Sequence, residues 1–171
     1  VRKAFFFDRD GVLNKAIVKS GKPYSPYNLS ELEINYFAKE IISYLKCKQF
    51  LIIVVTNQPD VKRKKNTKKN IEEINNFLKS ELKIDDFFVS YANSDYVRDR
   101  KPNNGMLIDA KRKWNINFKK SYLIGDRSKD IIAGLRSGVK TIFLDNGYLE
   151  RKPNYSNFTI KTLKEIKKII N

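Results

Sequence analysis

Two carboxylates two residues apart, Asp8 and Asp10, stand just beyond the apolar run 4–7. The order is Asp8-Arg9-Asp10-Gly11-Val12-Leu13-Asn14, and Gly11 permits a turn that lets both carboxylates face one site. Such a pair can divide covalent attack from proton transfer; an ordinary Asp-rich turn is the plainer reading. Three further clusters follow other apolar runs. Thr56-Asn57-Gln58 follows the run 51–55 and offers a hydroxyl and amides to phosphate oxygens. Arg100-Lys101-Pro102 precedes Met106, where a lysine at a loop entering a helix can clamp a phosphate. Gly125-Asp126-Arg127-Ser128-Lys129-Asp130 follows the run 122–124, and Asp126 suits either a metal ligand or a helix N-cap.

These residues need a scaffold that brings loop ends together. The apolar runs 4–7, 51–55, 87–89, 122–124 and 141–144 are short and rich in branched and aromatic residues, which predicts buried strands. Between them lie helical periods. Phe37, Ile41, Ile42 and Leu45 share one face, as do Ile71, Ile74, Leu78 and Leu82. Met106, Ala110 and Trp114 make a third, and Ile131, Ile132 and Leu135 a fourth, with Gly138 as its C-terminal cap. Thr162 with Glu165 reads as a capping box. The alternation predicts an α/β fold in three layers, a Rossmann-like parallel sheet with helices on both faces. The expected organisation is a single domain over 1–171, with the long 15–28 loop as a candidate for function. In such sheets ligands gather at the carboxyl ends of the strands.

Composition narrows the chemistry. The chain has no histidine, which excludes a Ser-His-Asp triad, a Cys-His pair and His-ligated zinc. Its one cysteine, Cys47, excludes an intrachain disulfide and is expected in or near the core. The reaction must therefore rest on carboxylates, lysines, hydroxyls or a metal they hold. No apolar run reaches the roughly 20 residues of a membrane span, and no leader is visible, so no membrane partner and a cytoplasmic location are expected. A net charge of +16 attracts phosphate-bearing ligands. Part of it is the run Lys62-Arg63-Lys64-Lys65 with Lys68 and Lys69, which is either a site or a solvated coat.

Taken in order, each after an apolar strand, the four clusters resemble the motifs of the haloacid dehalogenase superfamily over essentially the whole chain. That resemblance implies Asp8 as nucleophile and Asp10 as general acid/base. It implies Thr56, Asn57 and Lys101 as phosphate ligands. It also implies Mg²⁺ held by Asp8, Asp126 and the Asp10 backbone carbonyl. No large insertion separates the motifs, so the chain looks like a capless member. Asp-Arg-Asp-Gly-Val-Leu-Asn, Thr-Asn-Gln and Arg-Lys-Pro-Asn-Asn-Gly-Met are similar to those of heptose 1,7-bisphosphate 7-phosphatases, with histidinol-phosphate phosphatases as near relatives. Within that branch Asn14, Arg100 and Asn57 are expected at the substrate, a small phosphorylated compound. Those relatives carry a zinc loop before Arg-Lys-Pro; here the stretch 89–99 has neither Cys nor His, so no zinc is expected. The phosphatase domain of polynucleotide 3′-phosphatases shares part of the pattern, and the basic charge suits nucleic acid. Its first motif, however, has an apolar residue where Arg9 stands here, which favours the sugar phosphate.

Overall fold

A computed structural model describes residues 1–171. Its main sheet contains β1 (Lys3–Phe7), β4 (Phe50–Asn57), β5 (Asp86–Ser90), β6 (Tyr122–Gly125), β7 (Lys140–Leu144) and β8 (Phe158–Ile160). The strand order is β5-β4-β1-β6-β7-β8, and every neighbouring pair is parallel. Parallel neighbours need long crossovers. These are supplied by α1 (Ala38–Cys47), α2 (Lys68–Leu82), α3 (Gly105–Trp114) and α4 (Ser128–Ser137). The chain moves outward from β1 to β4 and β5, then returns to the other side of β1 for β6. The switch point therefore lies at the carboxyl end of β1, where open sheets of this kind bind ligands.

Alternation along the strands divides the core. Phe5, Phe7, Ile52, Val54 and Ile124 pack with α1, α2 and the chain's C-terminal turns. Ala4, Phe6, Ile53, Val55 and Leu123 pack with α3 and α4 on the opposite face. The three-layer reading of the sequence is what the molecule adopts. No helix is long and apolar enough to cross a membrane.

Several details differ from expectation. β8 is three residues long, too short to register as a periodic run. The 15–28 segment is partly ordered as an antiparallel hairpin of β2 (Ile17–Lys19) and β3 (Lys22–Tyr24). In α4 the buried residues are Asp130, Ile131, Ala133 and Gly134, whereas Ile132 and Leu135 are 38% and 41% exposed. The cause is close helix–sheet contact: a Cβ on Gly134 would sit 2.6 Å from Thr141 and 3.0 Å from Leu123. The small face, not the larger aliphatic one, is turned inward. Cys47 is exposed. It lies two residues beyond buried Leu45, about 200° around the helix, and so points away from the sheet. Gly138 caps α4 with φ +75° as expected. Glu165 accepts from the backbone N–H groups of Lys161 and Thr162, opening a 3-10 turn that continues as α5 (Ile166–Ile169).

Trp114 at the end of α3 is half-buried, and its Nε1 donates to Asp86 Oδ2 at 2.7 Å, pinning the helix to the edge strand. Lys113 Nζ lies 2.7 Å from the same oxygen. Burial alone would raise the Asp86 pKa, but donors from Lys113, Trp114 and the Phe87 N–H hold it below the usual carboxylate range. A depressed carboxylate stabilises the fold above its unfolded pKa and loses that contribution as pH falls through the folded value. Asp86→Asn is therefore expected to lower stability at pH 7 by about 1 kcal/mol. In denaturant titrations the gap should close as pH drops below about 4. A gap of equal size at pH 3 and pH 7 would contradict the ion-pair account.

Candidate active site

Four loops meet at the switch point. β1 delivers Asp8 and Asp10, β4 delivers Thr56 and Asn57, β6 delivers Asp126, and the loop entering α3 delivers Arg100 and Lys101. A cavity of about 320 Å³ opens there, with Asp8, Asp10, Asn57, Arg100, Lys101 and Asp126 in its wall. The β2–β3 hairpin adds Lys22 to Ser25, so the long loop singled out in the sequence does reach the site.

Lys101 is 1% exposed, and its ammonium is held by Asp8 Oδ1 at 2.8 Å, Asp130 Oδ1 at 2.6 Å and the Val55 carbonyl at 2.7 Å. Burial favours loss of its proton, but the carboxylates of Asp130 and Asp8 outweigh that and raise its pKa. Asp8, Asp126 and Asp130 can bring carboxylate oxygens within 4.8 Å of one another. Burial, with the charge of Asp130, pushes Asp8 up to about 6 against the pull of Lys101. Asp126 is raised well above the usual range by burial and by Asp8 and Asp130.

Asp10 has the opposite surroundings. Its carboxylate accepts from Arg9 Nε at 3.0 Å and Nη2 at 3.2 Å, Asn14 Nδ2 at 3.1 Å, Ser25 Oγ at 2.6 Å and Gln58 Nε2 at 2.8 Å. Burial would raise its pKa, but Arg9, Ser25 and Gln58 prevail and lower it. Arg9 is itself fully buried and is fixed by Asn75 of α2 at 2.9 Å.

The expected substrate contacts are placed less directly than their positions in the motifs imply. Asn14 is fully buried and its amide serves Asp10, so it does not face the cavity. Thr56 is 1% exposed, and its Oγ1 accepts from Gln58. Asn57 lines the cavity, but its amide clamps the Lys101 backbone: Oδ1 accepts from Lys101 N and Nδ2 donates to Lys101 O, both at 3.0 Å. Arg100 lines the cavity with Nε on Asp95 and Nη1 on the Ala92 carbonyl, leaving Nη2 without a hydrogen bond. Sequence reasoning missed Asp130, Gln58, Ser25, Asn146 and Tyr148. Asp130 left a local signal, an acidic residue in the first turn of a helix behind Gly125-Asp126, Gln58 stood in the Thr56-Asn57-Gln58 cluster, and Ser25 lies in the long 15–28 loop.

The profile of the haloacid dehalogenase-like hydrolase family matches residues 28–144, which takes in Thr56, Lys101 and Asp126. A D-glycero-alpha-D-manno-heptose-1,7-bisphosphate 7-phosphatase of Campylobacter jejuni is 30% identical across 96% of this chain and 93% of its own length. The chain belongs to the haloacid dehalogenase-like hydrolase family. It is a phosphatase of that family. A namesake of the Campylobacter enzyme in Photorhabdus laumondii is 29% identical over 98% of this chain and 96% of that one. Both alignments extend over more of the chain than the family profile does. Among solved structures, the D,D-heptose 1,7-bisphosphate phosphatase of B. bronchiseptica, complexed with magnesium and phosphate, superposes with a TM-score of 0.79. It covers 98% of this chain and 97% of its own at 18% identity, and so shares the fold. A haloacid dehalogenase-family phosphatase of Thermococcus onnurineus gives a TM-score of 0.69 at 14% identity, over 99% and 98% of the two chains.

The residues of this family member fit a divalent cation. Three buried carboxylates face one ammonium, an imbalance that a divalent cation corrects. Asp126 Oδ1 is buried with no hydrogen-bond partner. With oxygen donors and neither His nor Cys ligands, the chemistry suits a hard cation such as Mg²⁺. The backbone allows this approach only at glycine. Gly11 has φ +83°, and a Cβ there would fall 1.8 Å from Asp126 Oδ2. Gly11→Ala is thus expected to combine left-handed strain with displacement of Asp126, costing about 1–3 kcal/mol from the backbone alone. A lowered thermal midpoint together with a loss of phosphatase activity checks this; a variant of unchanged midpoint and turnover would contradict it.

Proposed function

We propose that this phosphatase is a Mg²⁺-dependent phosphomonoesterase that works through an aspartyl-phosphate on Asp8. Its proposed substrate is a sugar bisphosphate of the heptose 1,7-bisphosphate type, cleaved at the 7-phosphate. The observation that carries the mechanism is the Asp8–Lys101 pair at the switch point, at the floor of a cavity whose wall carries Lys22, Arg63, Arg100, Arg127 and Lys129. A floor that reacts with one phosphoryl group and a cationic wall that can receive a second suit a bisphosphate. The heptose bisphosphate specificity named for the relatives supports the choice of sugar.

In the proposed reaction an Asp8 carboxylate oxygen attacks phosphorus, the bond from phosphorus to the sugar oxygen breaks, and Asp10 gives that oxygen a proton. Water then attacks the phosphorus of the aspartyl-phosphate, Asp10 takes the water's proton, and inorganic phosphate leaves with Asp8 restored. The donors around Asp10 favour its ionised form, which suits the second half. For the first half, Ser25 and Gln58 must release a carboxylate oxygen for the proton. Lys101 steadies negative charge on the transferring group. Mg²⁺, held by Asp8, Asp126 and the Asp10 carbonyl with Asp130 behind them, would neutralise charge between nucleophile and phosphate. Arg100, with Nη2 uncommitted, is assigned to the second phosphate or the hydroxyls beside it, where a planar fork is suited to oxygen pairs.

Zinc has no part in this reading. The stretch before Arg100 is held by Arg98 on Asp109 at 2.8 and 2.6 Å, by Lys129 on Asp95, and by Asn103 Nδ2 on the carbonyls of Asp95 and Val97. Purified protein is expected to retain no stoichiometric zinc after mild chelation and to melt at an unchanged temperature; one tightly bound zinc per chain would contradict this.

Two variants and a substrate panel test the reaction and the substrate. Asp8→Asn should lower kcat by several orders of magnitude, on the order of 10⁴ or more, because it removes the nucleophile. Near-normal turnover by that variant would sink the mechanism. Arg100→Ala should raise KM for heptose 1,7-bisphosphate while leaving p-nitrophenyl phosphate much less affected. Equal losses on both would place Arg100 in the chemistry instead. A higher kcat/KM for histidinol phosphate or a 3′-phosphorylated oligonucleotide would overturn the sugar assignment.

A further inference from the structure

The loop after β7 carries no motif residue, yet it reaches into the carboxylate cluster. Tyr148 Oη donates to Asp126 Oδ2 at 2.7 Å. Asn146 Nδ2 donates to Tyr148 Oη at 3.0 Å and to the Gly11 carbonyl at 2.8 Å, with a longer approach of 3.4 Å to Asp126 Oδ2. The two hydrogens of one amide are thereby matched to the two shorter contacts. Because Tyr148 Oη accepts from Asn146, its own hydrogen is directed to Asp126. The chain of donors runs one way, from amide to phenol to carboxylate.

The effect is to make the two oxygens of one carboxylate unlike each other. Oδ2 is engaged, and Gly11, which can carry no Cβ here, packs against it. Oδ1 is buried and unpartnered. We propose that Tyr148 and Asn146 are positioning residues that fix the rotation of the Asp126 side chain and so aim Oδ1 at the divalent cation. The proposal rests on the reading that Asp126 holds that cation. Groups behind a metal ligand orient it, and their loss costs typically 10–100-fold in metal affinity. The same contacts join the loop after β1 to the loop after β7 through the Gly11 carbonyl, so Asp126 is registered against the Asp8–Asp10 turn.

The test uses the full chain and Mn²⁺ as a spectroscopic probe, with free Mn²⁺ followed by electron paramagnetic resonance in the absence of substrate. Tyr148→Phe keeps the ring and removes only the hydroxyl. It should raise the Kd for Mn²⁺ roughly tenfold, and Asn146→Ala should raise it by less. With p-nitrophenyl phosphate, Tyr148→Phe should need more Mg²⁺ for half-maximal rate, while kcat at saturating Mg²⁺ stays within about twofold of the parent. Asp126→Asn should abolish tight Mn²⁺ binding. If Asp126→Asn binds Mn²⁺ like the parent, the cation site has been wrongly assigned and the inference falls with it. If Asp126→Asn loses binding but Tyr148→Phe and Asn146→Ala do not, the positioning role alone is wrong. A fall in kcat at saturating Mg²⁺ with unchanged Kd would place Tyr148 at the reacting atoms and also overturn the proposal. Asn146 is exposed, so its substitution gives a readout even if Tyr148→Phe folds poorly.

Discussion

A lysine ammonium removed from water is tolerable only when its partners are all in place, and Lys101 meets that demand with two carboxylates and one carbonyl. Each partner belongs to a different part of the chain. Asp8 follows β1, Val55 lies in β4, and Asp130 sits in the first turn of α4 behind β6. Loss of both carboxylate partners would leave a buried charge uncompensated, at a cost of several kcal/mol. The central three strands and α4 must therefore hold their mutual register for the ammonium to remain satisfied. The Asn57 side chain adds a further restraint by gripping the Lys101 backbone on both its N–H and its carbonyl. The interaction that readies Asp8 also ties the sheet's centre together.

The sheet supplies what this arrangement needs. With β1 at the switch point, the residues after β1, β4 and β6 converge without any of them having to cross the sheet. Two contacts are too close for a side chain other than hydrogen. Gly11 admits Asp126, and Gly125 lies where a Cβ would come within 2.1 Å of Asp130 Cβ. These glycines belong to the carboxylate cluster as much as the aspartates do. They explain why three carboxylates can approach one another so closely.

Much of this was legible because apolar periodicity and strand-end residues are local signals. The five runs, the helical faces of α1 and α2, the Gly138 cap, the placement of Asp8, Asp10 and Asp126 at strand ends and that of Lys101 in the loop entering α3 all follow from residues near in sequence. What was not legible is non-local. The inward face of α4 is decided by how closely Gly134 approaches Thr141, which no periodicity expresses. Asn14 and Thr56 stand at motif positions, yet the Asn14 amide nitrogen turns to Asp10 and the Thr56 hydroxyl to Gln58. Tyr148 reaches Asp126 across 22 residues of chain, and nothing in its immediate neighbours announces it. Position in a motif says which loop a residue occupies, but not which way its side chain faces.

The pair Asp8 and Asp10 shows how one short turn can hold two carboxylates in opposite surroundings. Asp8 is sunk among other carboxylates, so burial and Asp130 raise its proton affinity while Lys101 restrains the rise. Asp10, two residues on, is ringed by Arg9, Asn14, Ser25 and Gln58, and its affinity falls. Environments that push neighbouring acids apart are what the proposed division between nucleophile and proton carrier requires. Arg9 contributes to that contrast because it faces inward, where Asn75 of α2 holds it beside Asp10. An apolar residue at that position would leave Asp10 dependent on the hydroxyl and amides alone. Ser25 comes from the hairpin segment that also lines the cavity. The donors on Asp10 are therefore drawn in part from a segment that borders the cavity.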